Sequence, residues 1–327
     1  MSTKSALTRG GACLLALAAI ILLCRGLAPR PDSVTFMVFN TVCRVTVYGD
    51  ARLEAVGPVV VQRLTALHHL INAYDPESEL SRLNAAAHAA PFACSDGLWD
   101  ILLAAREAYR ETEGAFDPTV GPLMRLWGFH GKRNTIPTEA EIEEALAKVG
   151  LDKVVFDDEA RSVRFAVEGI SLDFGGIAKG YACDLVSGIL RANGVDCYMI
   201  DLGGNIQVSE KPPRGRRHFK VGIRDPVDKG RVLKVMALKG CSVATSGNYE
   251  RSRVIEGRRV GHIMDPASGR PGEYHASVTA ITPRGVDSDV YSTAVFVRGA
   301  PLARRLAAQK PGTSFFIVDE DKATTIP

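Results

Sequence analysis

Helical and strand patterns occupy different parts of this 327-residue chain. Apolar residues recur at helical spacing over residues 53–71 and 96–112, whereas the segments after residue 193 are mostly short apolar or alternating runs separated by glycine and proline. A doubly wound fold would need helices and strands in regular alternation. The separation instead predicts an α+β fold with a mixed, largely antiparallel sheet packed with helices.

Boundary signals define several of these elements. Thr138 and Glu141 form a capping box that starts a helix, which Gly150 is predicted to close. Residues 34–48 are predicted as a strand pair or one long strand, with a turn at Gly49-Asp50. Other predicted strands lie at residues 153–156, 163–167, 198–202, 219–223, 232–238, 277–281, 294–297 and 315–318.

The N-terminus has the layout of an export signal. Two basic residues precede an apolar run at residues 12–23, which Cys24 and Arg25 follow. The run of about a dozen residues is shorter than the roughly 20 that a membrane-spanning helix needs. We therefore predict an export signal and tether over residues 1–33 and a globular domain over residues 34–327, on the periplasmic side of the inner membrane.

Two processing routes are open at this signal. Residues 21–24 approximate a lipobox, which predicts lipid attachment at Cys24. Residues 26–28 offer small side chains for ordinary cleavage, but Pro29 directly after that position disfavours it. An uncleaved anchor is the third alternative, and each route attaches or delivers the domain to the same side of the membrane.

Charge excludes one large class of partner. The chain has 40 basic and 37 acidic residues, a formal net charge of +3, and its basic residues are scattered along the sequence. Nucleic-acid binding needs a concentrated basic face. The sequence therefore predicts no nucleic-acid partner.

Five cysteines follow the signal without any C-x-x-C pair. They stand at positions 43, 94, 183, 197 and 241. Zinc sites built from cysteine use closely spaced pairs, so no zinc site is predicted. Small buried thiols are the expected role, with a single disulfide left open by the oxidising compartment.

A glycine-rich segment at residues 172–181 stands where a strand leads into a helix. Such a junction exposes free backbone amides to an anion, and Lys179 adds a positive charge in the first helical turn. The spacing matches neither a P-loop nor a dinucleotide-binding fingerprint. A plain helix start and a phosphate site are both open, as are turn and ligand roles for residues 201–206 and 245–249.

His262 precedes a rigid turn at Pro266 and shares the segment with Asp265. No further histidine or cysteine stands at a zinc-ligand spacing nearby. The alternatives are a structural histidine and a general base.

The segment at residues 287–293 offers only oxygen ligands. If it is helical, Asp289 and Thr293 stand at i and i+4 and share one face. Oxygen donors suit Mg²⁺ or Ca²⁺ rather than zinc. The alternative is that the carboxylates only cap the helix.

Together and in this order, these segments resemble the FAD:protein FMN transferases, the ApbE-type flavin transferases. The similarity rests on the succession of the motifs more than on any one of them, and it covers nearly everything after the tether. The matching segments are Thr41 and residues 74–84, 114–120, 126–129, 173–184, 203–205, 224–226, 245–249, 262–266 and 289–293.

The resemblance implies Mg²⁺-dependent transfer of FMN from FAD to a threonine side chain of an acceptor protein, through a phosphoester bond and with release of AMP. It implies acceptors among the flavoproteins of membrane electron-transfer complexes. Two other functions would use the same residues. One is a metal-dependent FAD pyrophosphatase, in which water replaces the threonine, and the other is a lipoprotein that binds FAD without turnover.

The resemblance also implies roles for individual residues. The metal would be held by Asp289, Thr293 and the backbone carbonyl of Gly176. His262 would activate the acceptor hydroxyl, with Asp289 as the alternative proton acceptor. The implied FAD contacts are Tyr74, Ala115, Phe116, Asp117, Asp173, Lys179 and Ile263, with Phe39 covering the cofactor.

One departure from the family pattern concerns the first motif. Many members carry Met-Gly-Thr where this chain has Phe39-Asn40-Thr41. A phenylalanine ring and a methionine thioether pack differently, so contacts from this strand are expected to differ from those of the family.

Overall fold

The computed structural model describes residues 31–49, 53–228, 230–249, 251–272, 275–319 and 323–327. The predictions for the export signal and for Cys24 lie outside these residues. Within the described ranges, no helix is long and apolar enough to cross a membrane.

The helices and strands alternate irregularly along the chain. The helices in the described part of the chain are α1 (Leu53–Ile71), α2 (Glu79–Ala86), α3 (Asp96–Glu111), α4 (Gly121–Leu126), α5 (Glu139–Leu146), α6 (Ala178–Ala192), α7 (Gly285–Arg298) and α8 (Ala300–Gln309), with one 3₁₀ turn at Leu151–Lys153. The strands in the first part of the chain are β1 (Asp32–Val38), β2 (Thr41–Val47), β3 (Phe92–Ala93), β4 (Val154–Asp157) and β5 (Ser162–Phe165). Those that follow α6 are β6 (Tyr198–Leu202), β7 (Asn205–Val208), β8 (Phe219–Arg224), β9 (Val232–Leu238), β10 (Cys241–Ser246), β11 (Ser252–Ile255), β12 (Arg258–Gly261), β13 (Ser277–Thr282), β14 (Ser314–Val318) and β15 (Ala323–Ile326).

The centre of the molecule is an eight-stranded sheet in the order β1-β2-β6-β7-β10-β13-β14-β15. Each neighbouring pair in it is antiparallel. Smaller sheets are formed by β3-β5-β4, by β8-β9 and by β11-β12. The architecture confirms the α+β prediction and its largely antiparallel sheet.

The two faces of the central sheet are covered differently. Ser242 of β10 lies 3.0 Å (Oγ to Oγ) from Ser288 of α7, so this face carries the helices. The next residue, Val243, points to the other face, because successive side chains of a strand alternate. There it packs with Phe219 and Leu238 of the β8-β9 hairpin. Burying a side chain of this size stabilises the fold by roughly 2 kcal/mol, so both layers contribute to the core.

The predicted strand at residues 294–297 is wrong. These residues continue helix α7, which is buried along nearly its whole length. A buried helix is apolar on all sides, so a short apolar run within it has no helical periodicity and resembles a buried strand. The tertiary surroundings, rather than the local pattern, decide this element.

One helix boundary also differs from the prediction. Helix α5 has the predicted capping box at Thr138 and Glu141, but it ends at Leu146 and not at Gly150. The predicted turn at Gly49-Asp50 includes Asp50, which lies outside the described residues. Residues 34–48 form the strand pair, whose two strands are joined by a turn at Phe39-Asn40. Two-residue hairpins favour turns with positive φ, and both turn residues have it, at 52° and 56°.

The cysteines of the described residues are free thiols. Those at positions 43, 183 and 197 are buried, and those at 94 and 241 are partly buried. Burial raises the pKa of Cys43 to about 11 and that of Cys94 to about 12. Thiols in such surroundings stay protonated and act as small apolar side chains.

Candidate active site

A cavity of about 590 Å³ opens at one side of the helix-covered face. Its wall is built by the β1-β2 turn, the loop after α1, the segment before α4, the start of α6, the end of β10 and one face of α7. Every site residue predicted from the sequence lines it: Phe39, Tyr74, Ala115, Phe116, Asp117, Asp173, Gly176, Lys179, His262, Ile263, Asp289 and Thr293. The fold therefore gathers residues that are up to 254 positions apart (293 − 39) in one place.

The first part of the cavity, here called the helix end, consists of Gly176, Lys179, Asp289 and Thr293. It forms where the N-terminal part of α6 crosses α7. The crossing is close: a Cβ placed on Gly180 would lie 2.3 Å from the carbonyl oxygen of Gly285. Only glycine allows two backbones to approach this closely. Gly180 and Gly285 therefore fix the point at which α7 crosses α6.

The side chain of Asp289 is hydrogen-bonded to α6, the helix that α7 crosses. Its Oδ2 accepts a hydrogen bond from the backbone N–H of Gly180 at 2.9 Å, and its Oδ1 lies 3.9 Å from Lys179 Nζ. The residue is only 4% exposed. Asp289 therefore does not cap its own helix, which was the alternative left open by the sequence.

The N-terminus of α7 is capped by a different residue. Asp184 of α6 accepts hydrogen bonds from the backbone N–H groups of Gly285 and Val286, at 2.7 and 2.9 Å. Asp287 faces away from the cavity toward Arg284, and burial raises its pKa to about 6. Of the two aspartates in the segment, only Asp289 lines the cavity.

Thr293 stands one turn after Asp289 on the same helix face. Its hydroxyl donates to the carbonyl of Asp289 at 3.0 Å and lies 3.2 Å from the hydroxyl of Ser246. A Cβ built on Gly176 would lie 3.5 Å from Thr293 Oγ1, so the glycine turn and this hydroxyl are neighbours. A carboxylate, a hydroxyl and a backbone turn thus meet at the helix end.

The chemistry of this donor set fits a hard cation. Its oxygen atoms are the ligands that Mg²⁺ takes, usually from one or two carboxylates with other oxygens completing the shell. Within the described ranges, no group of three His, Cys, Asp or Glu residues could hold a metal. The set at the helix end has one carboxylate and no histidine or cysteine, so it lacks the nitrogen and sulfur ligands that zinc prefers.

The second part, here called the loop end, consists of Phe39, Tyr74, Arg251 and His262. These residues come from turns and loops, and Tyr74 is 47% exposed. Arg251 Nη2 donates to the Tyr74 hydroxyl at 3.0 Å. The ring of Phe39 meets that of His68 edge to face, with 5.5 Å between centroids.

His262 has a defined tautomer. Its Nδ1 lies 2.8 Å from the carbonyl oxygen of Arg251. Because a carbonyl only accepts, Nδ1 carries the hydrogen and Nε2 keeps a free lone pair in the neutral ring. Burial lowers the pKa of His262 to about 4, and the positive charges of Lys179 and Arg251 add to this effect. The residue is a neutral proton acceptor at ordinary pH.

Two aspartates on the cavity wall are oriented by neighbours. Asp117 is 6% exposed, and its Oδ1 accepts from the backbone and the hydroxyl of Thr119, at 2.8 and 2.6 Å. Burial raises its pKa although these hydrogen bonds oppose the shift. Asp173 accepts from the backbone N–H of Gly175 at 2.6 Å and lies 2.7 Å from His130.

The structure also shows the conformation of two segments whose role the sequence did not decide. Gly203 and Gly204 form the β6-β7 turn with positive φ, and a Cβ on Gly203 would lie 2.4 Å from Thr41 Oγ1. The segment is therefore both a turn and a close approach to the cavity wall. Thr245 and Ser246 end strand β10 instead of forming a loop, and Ser246 reaches Thr293.

Sequence reasoning missed three residues that act on the site geometry: Ser246, His130 and Arg251. Ser246 lay in a polar segment whose role the pattern did not decide. His130 directly follows the Trp-Gly-Phe motif at residues 127–129, which was the available signal. Arg251 stands in no motif, and only the fold places it beside Tyr74.

Comparison with known proteins assigns the chain to a family. The model of the ApbE family matches residues 39–317, which contain the whole cavity wall. The chain belongs to the ApbE family. The departure at Phe39-Asn40 therefore lies at the first residues that match the ApbE model.

Individual ApbE proteins are similar over most of their length. The FAD:protein FMN transferase of Salmonella typhimurium is 31% identical over 301 residues, covering 90% of this chain and 86% of the relative. That of Treponema pallidum is 32% identical over 303 residues, covering 88% and 84%. The crystal structure of the ApbE protein from Thermotoga maritima is 29% identical and superposes with a TM-score of 0.83, covering 90% of this chain and 96% of that one.

Proposed function

We propose that this chain transfers FMN from FAD to a threonine hydroxyl of an acceptor protein, with Mg²⁺ bound at the helix end, and releases AMP. The observation that carries the proposal is the cavity itself. It combines ring-stacking side chains, a lysine, an oxygen-only ligand set and a neutral histidine. The ApbE relatives from Salmonella typhimurium and Treponema pallidum are FAD:protein FMN transferases, which supports the same reaction.

The helix end would receive the pyrophosphate of FAD. Lys179 is suited to neutralise one phosphate. Asp289, Thr293 and the carbonyl of Gly176 would hold Mg²⁺, which supplies charge neutralisation at the phosphoryl oxygens when bound. The close α6-α7 crossing fixes these groups before substrate arrives, so little reorganisation is needed during the reaction.

The rest of the wall would bind the ring systems of FAD. Tyr74, Phe116 and Phe39 present aromatic faces or edges, which suit planar rings. Ala115 and Ile263 add small apolar surface, while Asp117 and Asp173 offer carboxylate oxygens to ring or ribose donors. Binding energy from these parts would hold the phosphorus in place for attack.

The reaction would join the threonine oxygen to the phosphorus of the FMN half. The bond between that phosphorus and the bridging oxygen breaks, and AMP leaves with the bridging oxygen. The hydroxyl proton passes to His262 Nε2. His262 is preferred over Asp289 as the proton acceptor because Asp289 Oδ2 is already bonded to Gly180 and its Oδ1 lies near Lys179.

We propose that the protein acts outside the cytoplasm. The signal pattern at residues 1–33 supports export, with the domain held at the periplasmic side of the inner membrane by a lipid on Cys24 or an uncleaved anchor. Acceptors would then be flavoproteins of membrane electron-transfer complexes. A protease-accessibility assay on spheroplasts tests this, and protection of the domain from external protease contradicts it.

The function is tested with FAD, Mg²⁺ and an acceptor flavoprotein whose target threonine is intact or replaced by alanine. Intact-mass spectrometry should show one FMN added only to the threonine form, and chromatography should show an equal amount of AMP. Free FMN and AMP without an adduct would favour the pyrophosphatase instead. Bound FAD with no turnover would favour storage.

Asp289→Ala tests the metal ligand in the same assay. We expect no measurable Mg²⁺-dependent transfer, because the only carboxylate of the proposed ligand set is removed. Asp287→Asn is the matched control, since this neighbour on α7 faces away from the cavity. Transfer by Asp289→Ala at the rate of the parent would overturn the metal assignment.

A further inference from the structure

His130 lies behind two residues of the cavity wall and belongs to neither end of the site. Its Nε2 is 2.7 Å from Asp173 Oδ2, and the two side chains are only 9% and 12% exposed. The imidazole ring also packs against the ring of Tyr74, with 4.5 Å between centroids and an angle of 53°. One buried side chain therefore contacts two residues that, under the proposed function, would contact FAD.

Asp173 is held at both carboxylate oxygens. Oδ2 faces His130, and Oδ1 accepts from the backbone N–H of Gly175 at 2.6 Å. Burial raises the pKa of Asp173, but the interaction with His130 and the Gly175 hydrogen bond outweigh it, so the pKa lies below its usual value. The carboxylate is thus ionised, and it orients the turn that continues into Gly176.

Tyr74 is held from two sides. The His130 ring packs against the Tyr74 ring, and Arg251 donates a hydrogen bond to the Tyr74 hydroxyl at 3.0 Å. Arg251 in turn accepts the hydrogen bond from His262 through its carbonyl oxygen. Contacts therefore run without interruption from the glycine turn through Asp173, His130, Tyr74 and Arg251 to His262.

We propose that His130 is a positioning residue for FAD: its Nε2 lies against the Asp173 carboxylate and its ring packs on the Tyr74 ring, so that one side chain sets both FAD contacts. The inference rests on the proposed function. A buried nitrogen–carboxylate contact at 2.7 Å is electrostatically stronger than the same contact in water. Losing it should change how well FAD is placed more than how fast it reacts.

The test separates the donor from the ring. His130→Gln keeps an N–H group near the position of Nε2, and His130→Phe keeps an aromatic ring but removes the donor. We expect His130→Phe to raise the Kd for FAD about tenfold, because the polar contact with the Asp173 carboxylate is lost. His130→Gln should stay within about threefold of the parent. His69→Gln, an exposed histidine on α1, is the matched control.

Kd is measured by flavin fluorescence on the full-length protein in detergent, with thermal unfolding recorded for each variant. A double-mutant cycle with Asp173→Asn should show that His130→Phe costs no further affinity once the carboxylate is gone. Unchanged FAD affinity in His130→Phe overturns the inference, as does an equal loss in both His130 variants that follows their unfolding temperatures. If the parent binds FAD in this His130-dependent way but transfers no FMN, the proposed function fails and the positioning role stands.

Discussion

The two ends of the cavity are built in different ways. At the helix end, Asp289 is 4% exposed and bonded to the backbone of a second helix, and glycines at the crossing leave no room for a methyl group. At the loop end, Tyr74 is 47% exposed, and Phe39 stands in a turn with positive φ. Groups proposed to bind charge are fixed by helix packing, and groups proposed to bind rings are held by side-chain contacts. A single substitution should therefore change FMN transfer and the free energy of unfolding differently at the two ends.

At the loop end, the largest effect should come from the proton acceptor. His262→Gln keeps a polar side chain but removes the basic nitrogen, and we expect kcat to fall by about 10³-fold, within the usual range for general-base catalysis. FAD affinity should change little. Stopped-flow or quenched-flow measurement of single-turnover FMN transfer checks this, and a parent-like rate would transfer the role to Asp289.

The pH dependence follows from the same residue. Because the pKa of His262 is about 4 and not the usual 6.5, the acid limb of kcat/KM should fall near pH 4 in the parent. It should be absent in His262→Gln. The unfolded chain binds this proton below pH 6.5 and the folded protein only below about pH 4, so stability falls as pH decreases between these values. An acid limb at pH 6.5 would contradict the buried, neutral histidine.

The next effect tests the helix end. A methyl group at position 180 would meet the carbonyl of Gly285 at 2.3 Å and Cβ of Asp289 at 2.7 Å, so α6 and α7 must separate. We expect Gly180→Ala to lower the free energy of unfolding by about 2 kcal/mol. FMN transfer should fall about 10²-fold, because Asp289 is displaced. Urea denaturation and the transfer assay measure the two changes.

Gly188→Ala is the matched control on the same helix. A Cβ there meets nothing within 4 Å, so the substitution should be neutral or stabilise the helix by up to about 1 kcal/mol. If both alanine variants behaved alike, helix propensity and not the close crossing would govern this end of the cavity.

The smallest effect concerns the hairpin turn at the loop end. Asn40 has a φ of 56°, where glycine has no steric penalty, so Asn40→Gly should raise the free energy of unfolding by about 0.5 kcal/mol. Gly204→Ala is the opposite control. Gly204 has a φ of 95° and a Cβ there would meet nothing within 4 Å, so only backbone strain should act, lowering the free energy of unfolding by about 1 kcal/mol. Urea denaturation compares them. A destabilised Asn40→Gly would show that the asparagine side chain itself supports the turn.

The residues that the sequence singled out line one cavity, but one of the elements that carry them was predicted wrongly. The helix that contains Asp289 and Thr293 was assigned in part to a strand at residues 294–297, because a fully buried helix has no amphipathic pattern. Asp289 and Thr293 were singled out because oxygen side chains at i and i+4 share a helix face and because their segment resembles the ApbE family. Neither signal depends on burial, and both residues line the cavity. Arg251 lacked such a signal, and no local pattern indicated it.

The sequence by itself indicated the fold class, the family and many of the residues that line the cavity, because periodicity, glycine positions and the order of motifs can be read along the chain. Tertiary structure decided which carboxylate serves the cavity, which tautomer His262 adopts and how Asp173 is held. Each of these depends on a partner in a different segment: Gly180 for Asp289, Arg251 for His262 and His130 for Asp173. A contact between separate segments exists only after the chain has folded, so no local pattern contains it.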